Sequence, residues 1–255
     1  MRTLPSGRVV TYDRQGNPLG ILSGCGVLAE YATLHEDNVI KIDADMPLDK
    51  ASLVSCGVIT GVGAAINTAK VEPGSICVVI GAGGVGLNTI QGCAIAGAAM
   101  IVAVDTSDFK LELARQFGAT HTVNASREDN VVKTVKQLTG GADYSFECIG
   151  FGTTVAQAYG VLGKGGTAVV VGVAKPDDTT SIRTRTLAFE QKTIKGSYIG
   201  SARPHLDFPR LINLYKAGKL KLDELITRTY SIDDAPQAFA DLVAGKNARG
   251  VVIFD

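Results

Sequence analysis

The stretch Val78-Val79-Ile80-Gly81-Ala82-Gly83-Gly84-Val85-Gly86 decides the fold of this chain. A short apolar strand runs into Gly-x-Gly-x-x-Gly and then into a helix of small and apolar residues, Leu87 to Ala96. Gly81 permits the tight turn, Gly83 lets backbone approach a pyrophosphate, and Gly86 lets the helix pack closely on the strand. The helix start offers free N–H groups and the positive end of its dipole to phosphate. Asp105 closes the next apolar run, Met100 to Val104, about 20 residues beyond the last glycine. A carboxylate there accepts hydrogen bonds from both hydroxyls of an adenosine ribose and repels a 2′-phosphate, so NAD is favoured over NADP. A glycine-rich turn alone also serves as a ligand-free connection. Strand, helix and acid in register point to a nucleotide.

Outward from this stretch, strands and helices alternate. Strands are expected at Ile76–Ile80, Met100–Asp105, His121–Val123, Tyr144–Ile149, Thr167–Val173 and Thr193–Ile199. Helices are expected at Leu87–Ala96, Ser107–Phe117, Glu128–Leu138 and Thr153–Leu162. The strands are almost continuously apolar, as a parallel sheet covered on both faces requires. Right-handed crossovers then imply a doubly wound α/β sheet in the order 3-2-1-4-5-6, with the dinucleotide at the switch point. Before it, residues 1–50 read as short β segments with a turn at Tyr12 to Pro18, and Cys56 to Lys70 reads as a Gly/Ala-rich helix. After Gly200 come a helix at His205–Ala217, the segment Leu220–Tyr230, a helix at Ala235–Ala244 ended by Gly245, and a strand Gly250–Phe254.

Composition narrows the function classes. Lys plus Arg equals Asp plus Glu at 25 each, there is no basic run and no Trp, so a nucleic-acid partner is not expected. No stretch reaches the continuous apolar length of a membrane span, and Met1 to Pro5 lacks a signal-peptide core; a cytoplasmic protein is expected. Cys25, Cys56, Cys77, Cys93 and Cys148 are odd in number and widely spaced, with no Cys-x-x-Cys pair, which argues against a disulfide framework. Cys77, Cys93 and Cys148 lie in apolar elements and read as small core residues.

Several segments in order resemble zinc-type medium-chain alcohol dehydrogenases. They are Cys56 to Ala65 (CGVITGVGAA), Val79 to Leu87, Phe146-Glu147-Cys148-Ile149-Gly150, Val171-Gly172-Val173, Lys195 to Gly200 and Ala248-Arg249-Gly250-Val251. The resemblance implies residue roles. Gly81, Ala82, Gly83, Gly84, Val85 and Gly86 would cradle the pyrophosphate, with Arg249 reaching it from the last strand. Asp105 and Lys110 would hold the adenine ribose, Val171, Gly172 and Val173 would line the nicotinamide, and Thr60 would lie near it. Cys56 matches the third ligand of the catalytic zinc. In the family the other two ligands, a Cys and a His, come from an opening third that also carries a structural zinc loop and a proton relay. The sequence shows no counterpart of these; Cys25, His35, His121 and His205 are the residues that could substitute, and nothing in their spacing indicates a site.

The resemblance further implies a partial, β-rich (GroES-like) catalytic domain at 1–56, an NAD-binding Rossmann domain at 57–199 and a C-terminal segment, 200–255, packing back on the first. The expected function is NAD-dependent oxidation of an alcohol or reduction of an aldehyde or ketone, with zinc as Lewis acid in the intact family. Two alternatives stand beside it: a catalytically silent NAD-binding module or partner subunit, and a zinc-free reductase like the quinone oxidoreductases. A homodimer is expected through the edge strand Thr193–Ile199.

Overall fold

The computed structural model describes residues 12–18, 28–32, 34 and 36–254. Six strands form one parallel sheet: β1 (Ile76–Ile80), β2 (Met100–Asp105), β3 (His121–Asn124), β4 (Ala142–Glu147), β5 (Leu162–Val170) and β6 (Thr193–Gly196). Their spatial order is β3-β2-β1-β4-β5-β6, as the alternating pattern implied. Successive residues of β1 divide between two cores. Cys77 and Val79 join one apolar cluster, and Val78 and Ile80 the other. A strand buried on both faces cannot alternate polar with apolar residues, which is why it reads as an unbroken hydrophobic run.

The first cluster is built by a long helical stretch, Leu48–Ala69, and by α3 (Gly84–Ile95) lying across the sheet. The long stretch comprises α1 (Leu48–Leu53) and α2 (Ile59–Gly63), each followed by a π-helical turn, and it ends at Lys70 in left-handed backbone. It starts earlier than the expected Cys56. Contrary to expectation, it is by length and composition apolar enough to cross a membrane. However, 61% of its apolar window is buried inside the fold. The second cluster is closed by α5 (Val131–Thr139) and α6 (Gly152–Gly160), while α4 (Asp108–Gln116) packs Leu111 and Ala114 onto the first.

α7 (Thr184–Phe189) precedes β6, and beyond β6 follow α8 (Pro204–Lys216), β7 (Ile226–Tyr230), α9 (Ala235–Val243) and β8 (Arg249–Val252). β7 and β8 pair in parallel as a separate two-stranded sheet. Leu220, Leu222 and Leu225 are buried in the first cluster, each contributing roughly 1.5–3 kcal/mol of apolar burial. Gln91 holds the same segment: its Oε1 accepts the Lys221 N–H at 2.7 Å and its Nε2 donates to the Lys221 carbonyl. On the other side Lys216 pairs with Asp43 and Asp45 of the N-terminal segment. Among the described residues of that segment the β structure is a single bridge, Tyr12 to Pro18, with Asp13 Oδ1 accepting the N–H groups of Gln15 and Asn17.

Several strand bounds differ from expectation: β4 is Ala142–Glu147 rather than Tyr144–Ile149, β5 starts at Leu162 rather than Thr167, and β8 is Arg249–Val252 rather than Gly250–Phe254. β5 stops at Val170, because Val171 and Gly172 both donate to the carbonyl of Glu147 and bend the chain away from the ladder. β6 stops at Gly196, short of Ile199, where the backbone turns left-handed.

Candidate functional site

Because the strands are parallel, the carboxyl ends of β1, β2, β4, β5 and β6 lie along one edge of the sheet, the side on which the ligand crevice of open α/β sheets is found. At its centre the glycine stretch turns from β1 into α3. Gly81 has φ +94° and donates its N–H to the Val104 carbonyl at 2.8 Å. A Cβ on Gly86 would lie 1.7 Å from the Gly81 carbonyl oxygen, so helix and turn meet with no room for a side chain. Gly83, by contrast, faces nothing within 4 Å. It is the N-cap of α3 and supplies no side-chain cap to the first N–H groups, those of Gly84, Val85 and Gly86.

Asp105 ends β2 almost fully buried. Its Oδ2 accepts the Ala82 N–H at 2.8 Å and its Oδ1 accepts the Ser107 N–H at 3.0 Å. The acid therefore braces the glycine turn as well as standing where a ribose would lie. The Lys110 ammonium comes up against Gly245, which follows α9 in left-handed backbone. There the helix C-terminus favours a cation.

Arg249 starts β8, and the fold carries it to the same turn. A Cβ on Gly57 would lie 2.1 Å from its Nη2, and one on Gly84 would lie 2.3 Å from its Nε. The guanidinium thus lies between the long helix and the start of α3, with no ion pair among the described residues. Burial pushes its pKa below the ordinary arginine value, and the neighbouring Cys56 thiol acts in the opposite sense. A partly buried cation beside free helix N–H groups is an anion site.

At the ends of β4 and β5, two loops pack backbone against backbone. A Cβ on Gly172 would lie 2.2 Å from the Gly150 nitrogen, and one on Gly150 would lie 2.6 Å from the Val173 carbonyl oxygen. Val171 is buried and Val173 is exposed at the crevice mouth. Glu147 organises this corner: its buried Oε1 accepts the N–H groups of Ile149 and Gly150 and the Thr154 hydroxyl, all at 2.8 Å. Glu147 lies within the Phe146–Gly150 segment, and its role was not evident from the sequence. The signal was an acid closing an apolar strand, the same signal as Asp105. Thr60 is half-buried on α2, its carbonyl against Gly200.

Cys56 exposes its thiol in the π-helical turn Val54–Val58. It opens on a cleft of about 930 Å³ lined also by Leu28, Leu48, Phe239, Leu242 and Arg249. No group of three His, Cys, Asp or Glu residues able to hold a metal occurs among the described residues, so Cys56 lacks the partners of a complete site there. Cys25 and His35 lie outside the described residues. His121 is engaged with the Thr120 hydroxyl, and His205 lies exposed in the first turn of α8. Cys77 and Cys93 are buried in the first cluster, and burial pushes the Cys93 thiol well above its ordinary value and the Cys148 thiol to about 12, which keeps those two protonated.

Comparison with known proteins follows the same lines. Residues 84–217 match the family model described as zinc-binding dehydrogenase. The NDMA-dependent alcohol dehydrogenase of Amycolatopsis methanolica is 41% identical over 247 residues, covering 95% of this chain and 66% of the relative. The S-(hydroxymethyl)glutathione dehydrogenase of Paracoccus denitrificans is 40% identical, covering 94% and 66%. The chain thus spans about two thirds of the length of the curated relatives it matches. Among solved structures, an alcohol dehydrogenase zinc-binding domain protein from Burkholderia ambifaria superposes with a TM-score of 0.93 at 32% identity, over 99% of this chain and 68% of that one.

Proposed function

The chain belongs to the zinc-binding dehydrogenase family, and from that premise we propose that it is an NAD-dependent alcohol dehydrogenase acting on an alcohol or the corresponding aldehyde or ketone. The observation that carries the reading is Arg249, a partly buried cation without an ion pair among the described residues, set against the uncapped start of α3. In this reading the residues from Gly81 to Gly86 and Arg249 hold the pyrophosphate. Asp105 accepts the ribose hydroxyls and disfavours a 2′-phosphate, with Lys110 at the same sugar. Val171, Gly172 and Val173 wall the nicotinamide end, with Thr60 nearby. Bound in this way, NAD would supply the hydride acceptor.

The described residues do not fit a complete catalytic zinc site, since Cys56 stands without two further ligands. Cys56 is therefore a candidate ligand only. The same observation favours a second reading, an NAD-binding module without turnover. We further propose division at 57 and 199 into catalytic, nucleotide-binding and C-terminal parts, a cytoplasmic location, and a homodimer through the exposed edge of β6.

Calorimetric titration of the full chain with NAD and NADP tests the cradle: NAD should bind, and NADP more weakly. Binding of neither would overturn it. Zinc stoichiometry measured together with alcohol turnover separates the enzyme from the silent module.

A further inference from the structure

Past β6 the backbone does something costly. Ile199, Gly200 and Ser201 have φ of 49°, 64° and 48°, three consecutive residues in left-handed backbone. Glycine adopts this freely, but a β-branched isoleucine does not, and such strain persists only where neighbours over-determine it. Here the neighbour is the long helix. A Cβ on Gly63 would lie 2.5 Å from the Gly200 carbonyl oxygen, and one on Gly200 would lie 2.2 Å from that of Ile59, so the two backbones touch. Directional contacts come from two side chains of the helix: Asn67 Nδ2 donates to the Gly200 carbonyl at 3.3 Å, and Thr68 spans the two ends of the turn. Thr68 Oγ1 lies 2.9 Å from Ser197 Oγ and 2.7 Å from Ser201 Oγ, and so bridges the residues just before and at the end of the turn.

The turn stands beside the crevice. Val170 and Gly196 are register partners in β5 and β6, and Ser197 donates its N–H to the Val170 carbonyl at 2.8 Å. The left-handed residues therefore leave the sheet next to Val171–Val173, with the Ile199 side chain part-exposed.

We propose that Thr68 is a positioning residue: its hydroxyl ties Ser197 to Ser201, holds the left-handed turn, and so sets where Ile199 and its backbone meet the nicotinamide end of a bound dinucleotide. The inference rests on the dinucleotide reading given above. It assigns Thr68 no contact with the dinucleotide; the residue acts through the turn.

The test compares two ligands on the full chain. ADP-ribose fills the adenine and pyrophosphate half of the cradle, and NAD fills both halves. Thr68→Val should weaken NAD about tenfold, the loss expected for hydrogen bonds of this kind, while ADP-ribose changes less than twofold. Thr68→Ser, which keeps the hydroxyl, should restore NAD affinity. If Thr68→Val fails to fold, Ser201→Ala removes one arm of the bridge at an exposed residue and should weaken NAD selectively. Equal affinities in wild type and Thr68→Val, parallel loss of both ligands, or failure of Thr68→Ser to restore NAD would each overturn the proposal. If wild type binds neither ligand, the dinucleotide reading itself falls and takes this inference with it.

Discussion

The carboxylate of Asp105 accepts the backbone N–H of Ala82 at 2.8 Å, joining the end of β2 to the middle of the glycine turn. An acid at this position is usually treated as a reader of the ribose. Here it is also a brace, because its other oxygen accepts the Ser107 N–H. Asp105→Ala should therefore cost stability as well as affinity, about 2 kcal/mol from losing two charge-assisted hydrogen bonds at a buried site. Thermal unfolding without ligand checks this. An unchanged Tm would mean that the acid only reads the sugar.

Two glycines of the same turn should separate fold from binding. Gly86→Ala places a methyl against the Gly81 carbonyl and should destabilise by about 3 kcal/mol. Gly83→Ala meets open space and should leave unfolding within about 0.5 kcal/mol of wild type. Its methyl would stand where a pyrophosphate needs to approach, so NAD affinity should fall at least about tenfold. Denaturant melts and titrations on both variants decide it.

Arg249→Met should do the reverse of Gly86→Ala. It removes a partly buried charge that has no ion pair among the described residues, so Tm should hold or rise. NAD affinity should drop by about tenfold or more, and its salt dependence should flatten. A lower Tm with unchanged affinity would remove Arg249 from the cradle.

Asp241 sets an acid limit on the C-terminal segment. The Tyr230 hydroxyl, first, and then Gln237 and Lys246 hold its pKa below the ordinary 3.8 against the opposing effect of burial. A depressed carboxylate stabilises the fold fully above its unfolded value, and this stability is lost as pH falls below about 3.8 through the folded value. Asp241→Asn should be less stable at neutral pH and should lack that part of the acid decline, as unfolding midpoints between pH 2 and 7 would show.

The strand order and the glycine turn between β1 and α3 were legible in the chain because they are written locally. Apolar runs such as Val78–Ile80 announce strands buried on both faces, and Gly81 and Gly86 announce a turn with no room for a side chain. Asp105 was legible by its interval from that turn. Element ends were less so. The stop of β5 at Val170 depends on where the Glu147 carbonyl happens to lie, and the early start of the long helix depends on burial by distant residues.

By itself, then, the sequence determined a parallel doubly wound sheet and a phosphate-ready helix start, since periodicity and turn chemistry act between near neighbours. Tertiary structure alone decided that Arg249 would lie between Gly57 and Gly84, that Glu147 would knit two loops, and that Thr68 would bridge Ser197 and Ser201. Each of these contacts joins residues on different elements. Which of them meet is set by the order of strands in the sheet and by backbone approach at particular glycines, and neither leaves a periodic trace in the chain.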